Sequence, residues 1–532
     1  MNHIELFAGC GGLSLGLESV GFELLFANEI SPMASETFSY NFFNENLSEL
    51  AQLGHPPKHT IWLNSHYDQH ELDKRLRENT KESPSQLKGF NDLEQGGVGL
   101  EKSIVVAKIE DLNSYLSEQK NSRVLKQVKN GFGRGGVDLV SGGPPCQSFS
   151  LAGLRQHDNE RNQLPWEFVK FVDHVKPKIV MLENVSGILR AFDINGEKYF
   201  AWYEVAKAFS SIGYVPICIH ANAKYSGAAQ NRPRFIMIAI REKEFKKFRK
   251  NAKSDTNDSI FNNSFNFYSD FKKNPNIKYG RLECYEMERE IEVFTNSFLS
   301  PLVKYQESKW RTVYDAIEDL RVQGEKTTKS SYVKEINRIL TIKGKVKHRE
   351  LNNDDRRANG EHVKSRFLIY QILDTVSPRT KKEVVKFFRD PIENILSKTA
   401  VSELLKHKYL GINKEFIKFD SAAQLKKYLL SRCTKKQTQR ALIANKPAPA
   451  ALSIPDDACH YHLGEMRTLT VREMARIQSF PDWFDFRSKV TTGGKMRRFE
   501  VPQYTQVGNA VPPLFGVALG EVIKSILGYI NQ

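Results

Sequence analysis

A single cysteine, Cys146, follows two glycines and two prolines at the end of an apolar run, in the stretch LVSGGPPCQSFS. Free cysteine is often a small buried hydrophobe, so packing is one interpretation of this residue. A thiol held on a rigid loop at the end of a strand can also serve as a nucleophile. The residue type alone leaves both interpretations open.

A carboxyl group follows a second predicted strand in the same way. Glu183 stands in ENV, directly after the apolar run KIVML. Because the carboxyl ends of parallel strands meet at one edge of a sheet, Cys146 and Glu183 are expected there together. Such a pair suits covalent addition combined with proton donation, and burial would favour the protonated acid. A Glu-Asn pair that caps a helix is the alternative.

Two arginines, Arg232 and Arg234, stand two residues apart in QNRPRF, just before another predicted strand. At that spacing both side chains can face one side, where they could bind phosphate or polarise a carbonyl group. Taken alone, such arginines are more often surface charges.

A glycine-rich turn, LFAGCGGLSLG, places Gly9, Gly11 and Gly12 between a predicted strand and a predicted helix. Glycines there let a ligand approach the backbone, and the helix N-terminus supplies hydrogen-bond donors. Glu29 ends the second strand, a place where an acidic residue commonly binds ribose hydroxyls. Together they favour an adenosine-bearing cofactor over a purely structural turn. The spacing differs from GxGxxG, which makes NAD less favoured.

The elements that must position these groups follow from short apolar runs separated by helical patterns. The predicted strands are HIELFA, ELLFANEI, SIVVAKI, VDLVSGG, KIVMLEN, VPICIHANA and RFIMIAI. The β–turn–α–β order at the start predicts the α/β class, with a doubly wound, Rossmann-like parallel sheet.

The segments outside these strands differ in composition and in predicted structure. The sequence predicts an irregular insertion at 45–103 that is partly helical around ELDKRLREN, a loop or irregular module at 250–276, a largely helical region at 330–445, a linker at 445–458 and a helix at 470–480 that ends before a proline.

Composition limits the class of protein. The chain has 532 residues, enough for two or three units, and its six cysteines include no CxxC pair, which argues against a zinc site or a disulfide framework. We expect no metal, no signal peptide and no membrane-spanning run, and therefore a cytoplasmic location. The net charge is +16, and residues 242–466 hold 44 Lys and Arg against 30 Asp and Glu. This excess suggests a region that faces a polyanion, with a solvated lysine-rich surface as the alternative.

The ordered blocks LFAGCGGLSLG, NEI, GGPPCQSFS, ENV, QNRPRF, TVREMARIQSFP and QVGNAVPP closely resemble the C5-specific DNA cytosine methyltransferases of bacterial restriction–modification systems. The resemblance covers residues 1–44, about 104–241 and about 467–532. It implies a class I methyltransferase domain that takes its methyl group from S-adenosylmethionine.

The resemblance also implies a mechanism on a cytosine flipped out of double-stranded DNA. Cys146 would add to carbon 6, because carbon 5 alone is too weakly nucleophilic. Glu183 would protonate or hydrogen-bond ring N3, Arg232 would steady the O2 side of the base, and Arg234 would support that position. Carbon 5 would then take the methyl group, and Cys146 would leave by elimination after carbon 5 loses its proton.

The cofactor site implied by the resemblance draws on four parts of the chain. Its residues are Phe7, Ala8, Gly9, Cys10, Gly11, Gly12, Glu29, Ile30, Lys108, Ile109, Pro145, Leu164, Asn509, Ala510 and Val511. One position departs from the family pattern, which usually has GDI where this chain has AKI. The side chain of Lys108 cannot accept a hydrogen bond from the adenine amino group, so either the blocks are misaligned there or adenine is held differently.

The resemblance further implies the domain organisation. Residues 1–241 would form the catalytic and cofactor-binding domain, 242–466 an enlarged target-recognition region, and 467–532 a helix that organises this region and a segment that returns to the first domain. Within that helix, Arg472, Glu473 and Arg476 are expected to be structural.

The implied enzyme is a DNA (cytosine-5-)-methyltransferase. It would act as a monomer on double-stranded DNA and could be encoded beside a partner restriction endonuclease. Two alternatives remain open from the sequence: a transfer RNA cytosine-5 methyltransferase, against which the long basic block argues, and a catalytically silent DNA-binding regulator of the same fold.

Overall fold

The computed structural model describes residues 1–82, 84, 88–93, 99–145, 163–194, 196–323, 327–345, 350–411, 413–434, 439–450 and 458–532. Cys146 lies outside these residues, and so does 451–457 of the predicted linker.

The strands up to residue 286 supply a ten-stranded sheet, together with shorter pairings. They are β1 (Asn2–Leu6), β2 (Glu23–Glu29), β3 (Thr60–Ser65), β4 (Phe90–Asn91), β5 (Ser103–Val106), β6 (Leu139–Gly142), β7 (Ile179–Val185), β8 (Phe192–Ile194), β9 (Glu197–Tyr199), β10 (Tyr214–Asn222), β11 (Gln230–Asn231), β12 (Pro233–Arg241) and β13 (Cys284–Glu286).

The strand order in the sheet is β13-β10-β12-β7-β6-β1-β2-β5-β3-β4. From β3 through β5, β2, β1 and β6 to β7 the strands are parallel, whereas β12 is antiparallel to both of its neighbours, β7 and β10. The order of the parallel strands reverses beside β1, which confirms the predicted doubly wound α/β class.

The helices lie on both faces of this sheet and in the later part of the chain. They are α1 (Gly12–Ser19), α2 (Pro32–Phe42), α3 (Leu47–Leu53), α4 (Leu72–Arg75), α5 (Ile109–Ser117), α6 (Ser122–Lys129), α7 (Leu164–Val175), α8 (Ala201–Ser211), α9 (Glu242–Asn251), α10 (Asp255–Lys273), α11 (Ile291–Thr295), α12 (Val313–Ile317), α13 (Ser331–Ile339), α14 (Glu361–Ile372), α15 (Pro378–Arg389), α16 (Lys398–Leu404), α17 (Ala422–Leu430), α18 (Val471–Ile477), α19 (Gln503–Asn509) and α20 (Pro513–Asn531).

The insertion at 45–103 is more regular than the sequence predicts. Its helical part is present as α4, but β3 joins the central sheet beside β5 and is buried along its whole length. Ile61, Trp62 and Leu63 supply the apolar contacts of this strand. The prediction of an irregular segment is therefore wrong for residues 60–65, because four apolar or β-branched residues in TIWL suffice for a buried strand between β5 and β4.

The segment at 250–276 is helical rather than irregular, which corrects a second prediction. The Ser254 hydroxyl accepts a hydrogen bond from the Asn257 backbone and starts α10. Ile260, Phe261 and Tyr268 then bury one face of the helix in the core beside β10. The Asn and Ser residues between them mask a helical spacing of apolar residues. Residues 242–286 thus pack onto the sheet through α9, α10 and β13.

The predicted helical region at 330–445 contains α13 to α17. Side chains of α14 to α17 share a separate apolar core that includes Phe367, Phe387, Leu404 and Leu429. Short strands border it: β14 (Tyr409–Leu410), β15 (Phe416–Ile417), β16 (Arg440–Ala441) and β18 (Ala458–Cys459). A further strand, β17 (Ala448–Pro449), packs in a different apolar core. Within the predicted linker at 445–458, β17 forms a strand that pairs with β11. The predicted helix at 470–480 is α18, whose first turn carries a capping box between Thr470 and Glu473.

The last helix, α20, packs against the first, α1, with almost no space between their backbones. A Cβ atom added to Gly16 would lie 2.5 Å from the backbone of Gly516. By length and composition α20 could also cross a membrane, although the sequence expectation was that no segment could. About two thirds of it is buried within the protein, as expected of a core helix.

A hydrogen bond ties the central strand to the helix that follows it. Glu5 of β1 is buried and accepts a hydrogen bond from the Ser14 hydroxyl of α1. Burial raises the pKa of Glu5 from 4.5 to about 8, although the bond from Ser14 opposes the shift. Glu5 is therefore protonated in the folded protein at neutral pH.

This shift makes the stability of the fold dependent on pH. Folded Glu5 keeps its proton up to about pH 8, whereas the unfolded chain releases it near pH 4.5. Its stabilising contribution is thus fully present below pH 4.5 and is lost as the pH rises through 8. In wild type we expect the free energy of unfolding, measured with urea, to fall by on the order of a few kcal/mol between pH 5 and 9. Glu5→Gln should not show this fall, because glutamine does not titrate. Glu23→Gln is the control, because Arg134 lowers the pKa of that exposed carboxyl; equal pH profiles for wild type and Glu5→Gln would contradict the assignment.

Candidate functional site

The glycine turn between β1 and α1 has the conformation that glycine permits. Gly9 and Gly11 have φ angles of +57° and +92°. A Cβ atom on Gly11 would lie 2.4 Å from the ring of Phe42, and one on Gly12 would lie 2.3 Å from the carbonyl oxygen of Val511. Beside Gly9, by contrast, an added Cβ would meet nothing within 4 Å. The turn is thus packed on two sides and open at Gly9.

Glu29 at the end of β2 lies directly against this turn. Its Oε2 accepts a hydrogen bond from the Gly9 backbone at 2.8 Å, and its Oε1 accepts one from the Ser31 backbone at 2.8 Å. The side chain is buried, and this burial raises its pKa, although the backbone donors oppose the shift. The backbone therefore fixes the carboxyl group where a ligand in the turn could reach it.

Lys108, at which this chain departs from the family's GDI pattern, lies beside Glu29. β5 pairs with β2 so that Val106 is opposite Glu29, and the Ala107 backbone donates a hydrogen bond to the Glu29 carbonyl at 3.2 Å. Lys108 follows as the N-cap residue of α5, whose first residue is Ile109. The AKI stretch therefore occupies the strand end next to Glu29, which argues against a misaligned block.

The C-terminal segment contacts both halves of the predicted site. The backbone of Val511 covers Gly12, and Ala510 is buried beside it. The carbonyl oxygen of Gly508 accepts a hydrogen bond from Nη2 of Arg232 at 2.9 Å. Asn509, between them, has an exposed side chain. Residues from the end of the chain thus join the glycine turn to the arginine pair.

The loop that leads to Cys146 is described as far as Pro145, which is exposed. Asn184 donates a hydrogen bond through Nδ2 to the carbonyl oxygen of Pro144 at 3.0 Å. A Cβ atom on Gly143 would lie 2.7 Å from Oε2 of Glu183. Glycine is therefore needed there for Glu183 to lie against the loop. Cys146 itself lies outside the described residues, so its distance from Glu183 stays untested.

Glu183 and Arg234 form an ion pair of 2.8 Å between Oε1 and Nε. The antiparallel register of β7 and β12 brings them together, because it sets Arg234 opposite Val185 and Ile236 opposite Glu183. Burial lowers the pKa of Arg234, whereas Glu183 opposes the shift. The sequence pattern had suggested an acid in an apolar setting; the structure instead gives it a charged partner.

Arg232 is buried and has a hydrogen-bond donor left over. Its Nε has no partner among the described residues, while its backbone donates to Oδ1 of Asn222 at 2.9 Å. Burial, and to a lesser extent the charge of Arg234, lowers its pKa. An unpaired donor on a buried guanidinium is costly, which favours a function that supplies an acceptor there.

The remaining predicted residues lie nearby or are structural. Phe7, with a φ of +55°, stacks on Phe168 of α7, and Leu164 at the start of that helix packs against the same core. Cys10 is buried and contacts the Gln506 carbonyl, and Ile30 is half-buried after β2.

In α18, Arg472, Glu473 and Arg476 are fully buried and bonded within the protein, which supports their structural interpretation. The Glu473 carboxylate accepts hydrogen bonds from Nη1 and Nη2 of Arg467, both at 2.8 Å, and Nε of Arg476 donates one to Asp482 at 2.7 Å.

Two contributors were missed by the sequence reasoning. The amide of Asn184 holds the loop before Cys146, and the Gly508 carbonyl holds Arg232. Asn184 is the middle residue of the ENV block, next to Glu183, so the sequence could have indicated that it lies at the site. A backbone carbonyl gives no signal in a sequence.

Relatives of known type cover nearly the whole chain. The chain is 26% identical over 534 residues to the type II methyltransferase M.DdeI of Desulfomicrobium norvegicum. The match covers 100% of this chain and 90% of the relative. It is 23% identical over 556 residues to the type II methyltransferase M.Bpa9945I of Bacillus paralicheniformis, across 98% of both chains.

The putative type II methyltransferase M.OihORF3336P of Oceanobacillus iheyensis is 25% identical, across 98% of this chain and 95% of the relative. Residues 1–56 and 112–525 match the family described as C-5 cytosine-specific DNA methylase. The match confirms the resemblance seen in the sequence blocks: this chain belongs to the C-5 cytosine-specific DNA methylase family.

Proposed function

We propose that the protein methylates carbon 5 of cytosine in a specific double-stranded DNA sequence, with S-adenosylmethionine as the methyl donor. One observation beyond family membership carries the proposal: the Glu183–Arg234 ion pair lies against Gly143, three residues before Cys146. An acid, a paired arginine and a loop that leads to a thiol are the groups that addition to a pyrimidine ring needs.

The residues of the glycine turn fit an adenosine cofactor. The space beside Gly9 is open, and the Glu29 carboxyl group at its edge is an acceptor suited to ribose hydroxyls. Ile30 and Ile109 follow neighbouring strands and would lie against the adenine ring. When bound, S-adenosylmethionine supplies an electrophilic methyl group on a sulfonium centre.

The protein groups would act on the cytosine ring as follows. The Cys146 thiolate forms a bond to carbon 6, and Glu183 gives a proton or hydrogen bond to N3, where negative charge accumulates. Arg234 holds Glu183 in place, and Arg232 would steady the O2 side of the base. After carbon 5 is methylated it loses its proton to a water, and the bond between Cys146 and carbon 6 breaks. Because the ring is stacked within a duplex, the base has to flip out first.

The other cysteines lack the features of a nucleophile. Burial raises the pKa values of Cys10, Cys218 and Cys459, and raises that of Cys284 to about 12. Burial also raises the pKa of Cys433, which lies beyond the end of α17. A raised pKa keeps a thiol protonated and unreactive at neutral pH. This leaves Cys146 as the nucleophile of the proposal.

DNA recognition is proposed for the later part of the basic block. Residues 242–286 pack against the sheet, whereas α14 to α17 have their own core and form a distinct helical unit. On α15, four basic side chains are exposed: Arg379, Lys382, Lys386 and Arg389. Such a row of basic side chains can neutralise DNA phosphates, which gives affinity for DNA that does not depend on its sequence.

We propose further that the enzyme acts as a cytoplasmic monomer paired with a restriction endonuclease.

The nucleophile can be tested with DNA that contains 5-fluorocytosine. Fluorine at carbon 5 blocks the final proton loss, so the bond from Cys146 to carbon 6 persists after methylation. We expect wild type and Cys433→Ala to give a complex with DNA that survives denaturing electrophoresis, and Cys146→Ala to give none. A trapped complex with Cys146→Ala would contradict the assignment.

The role of Glu183 can be tested with Glu183→Gln. Loss of the transferable proton should lower kcat at least about a hundredfold. The Kd for S-adenosylhomocysteine, measured by calorimetry, should change less than about twofold, because Glu183 lies outside the proposed cofactor turn. Glu204→Gln, whose carboxylate pairs with Lys207 on α8, is the control and should keep normal turnover. Near-normal turnover of Glu183→Gln would exclude Glu183 as the acid.

A further inference from the structure

The insertion at 45–103 reaches the strand end that carries Glu29. Residues 78–82, here called the bridge segment, include Thr80, whose hydroxyl donates a hydrogen bond to the Ile30 carbonyl oxygen at 2.5 Å. Ile30 directly follows Glu29, so the contact lies at the edge of the glycine turn. A part of the chain with no counterpart among the sequence blocks of the family therefore touches the proposed cofactor site.

The bridge segment is held in place by the end of β3. The Glu78 carboxylate accepts hydrogen bonds from the Ser65 hydroxyl and the His66 backbone, both at 2.7 Å. The His66 ring lies 2.7 Å from the Glu82 carbonyl oxygen through Nε2. Because β3 is parallel to β5, its carboxyl end lies at the same sheet edge as Glu29. Both ends of the bridge segment are thus fixed to the central sheet.

Lys81 extends the bridge segment toward the C-terminal part of the chain. Its ammonium group donates a hydrogen bond to the Arg498 carbonyl and lies 5.7 Å from the centre of the Phe499 ring. The positive charge also acts on Glu29 and favours its ionised form. The bridge segment therefore connects the end of β2 with residues 498–499.

We propose that the bridge segment is part of the cofactor site and that Thr80 is a positioning residue for its adenosine end. The Thr80 hydroxyl fixes the Ile30 backbone, and with it the side chain proposed to lie on adenine. Lys108 cannot supply the side-chain acceptor that the family usually has at its position, so adenine has to be held in another way. The inference rests on the proposed use of S-adenosylmethionine.

The alternative is that Thr80 only anchors the insertion to the fold. The two roles predict that substitution of Thr80 affects different properties of the protein. An anchor would lower thermal stability without a selective effect on nucleoside binding. A positioning residue would weaken every ligand that contains adenosine by the same factor, and would leave kcat at saturating cofactor unchanged.

The test uses full-length Thr80→Val and Thr80→Ser with two probes, S-adenosylhomocysteine and 5′-methylthioadenosine, the second of which lacks the amino-acid part. We expect Thr80→Val to raise the Kd of both probes by the same factor, about tenfold for one lost hydrogen bond. Thr80→Ser keeps the hydroxyl and should bind like wild type. Thr295→Val removes a similar hydroxyl-to-carbonyl bond on α11, far along the chain, and should bind normally.

Lys81→Met provides a second variant that does not depend on Thr80. It removes the link to Arg498, so both Kd values should again rise together. Wild-type affinity in Thr80→Val and Lys81→Met, or a fall in kcat alone, would overturn the inference and leave the proposed function intact. Failure of the wild-type protein to bind either probe would instead overturn the cofactor assignment and, with it, this inference.

Discussion

The structure depends on the close contact between the two ends of the chain. The Val511 carbonyl oxygen lies where a side chain on Gly12 would have to be, and the backbones of α1 and α20 meet at Gly16 and Gly516. Any larger residue at these points would separate the helices, because backbone atoms cannot yield as side chains can. The same returning segment gives its Gly508 carbonyl to Arg232. One packing constraint therefore shapes the glycine turn and also orients an arginine of the proposed catalytic group.

The second organising feature is the distribution of charge at the sheet edge. Glu5, under the turn, is neutral at pH 7 because it is buried with a hydroxyl as its partner. Glu183, two strands away, is also largely buried but lies beside Arg234. Two carboxyl groups on parallel strands thus have different environments, and only the second has an arginine that can hold it in place and balance its charge. That difference separates the acid that supports the fold from the one proposed to work on the base.

Much of this could be predicted from local sequence. Most strands of the doubly wound core are apolar runs, and the glycine turn, Glu29 and Glu183 lie at or just after the ends of three of them, so the sheet edge that collects these groups was predictable. The ion pair between Glu183 and Arg234 was not, because it depends on the antiparallel register of β12, which no local pattern specifies. β3 and α10 were missed because β3 stands within a long polar stretch of sequence and because Asn and Ser residues separate the buried side chains of α10. The link between Thr80 and Ile30 joins residues that are 50 positions apart and required the folded structure.

The identity of the modified atom is tested most directly by mass spectrometry of nucleosides. Purified protein would be incubated with unmethylated plasmid DNA and S-adenosylmethionine that carries a trideuterated methyl group, and the DNA would then be digested to nucleosides. Methylation at carbon 5 predicts trideuterated 5-methyl-2′-deoxycytidine as the labelled product. Label on the exocyclic amino group of cytosine or adenine, or label only in a parallel incubation with transfer RNA, would contradict it.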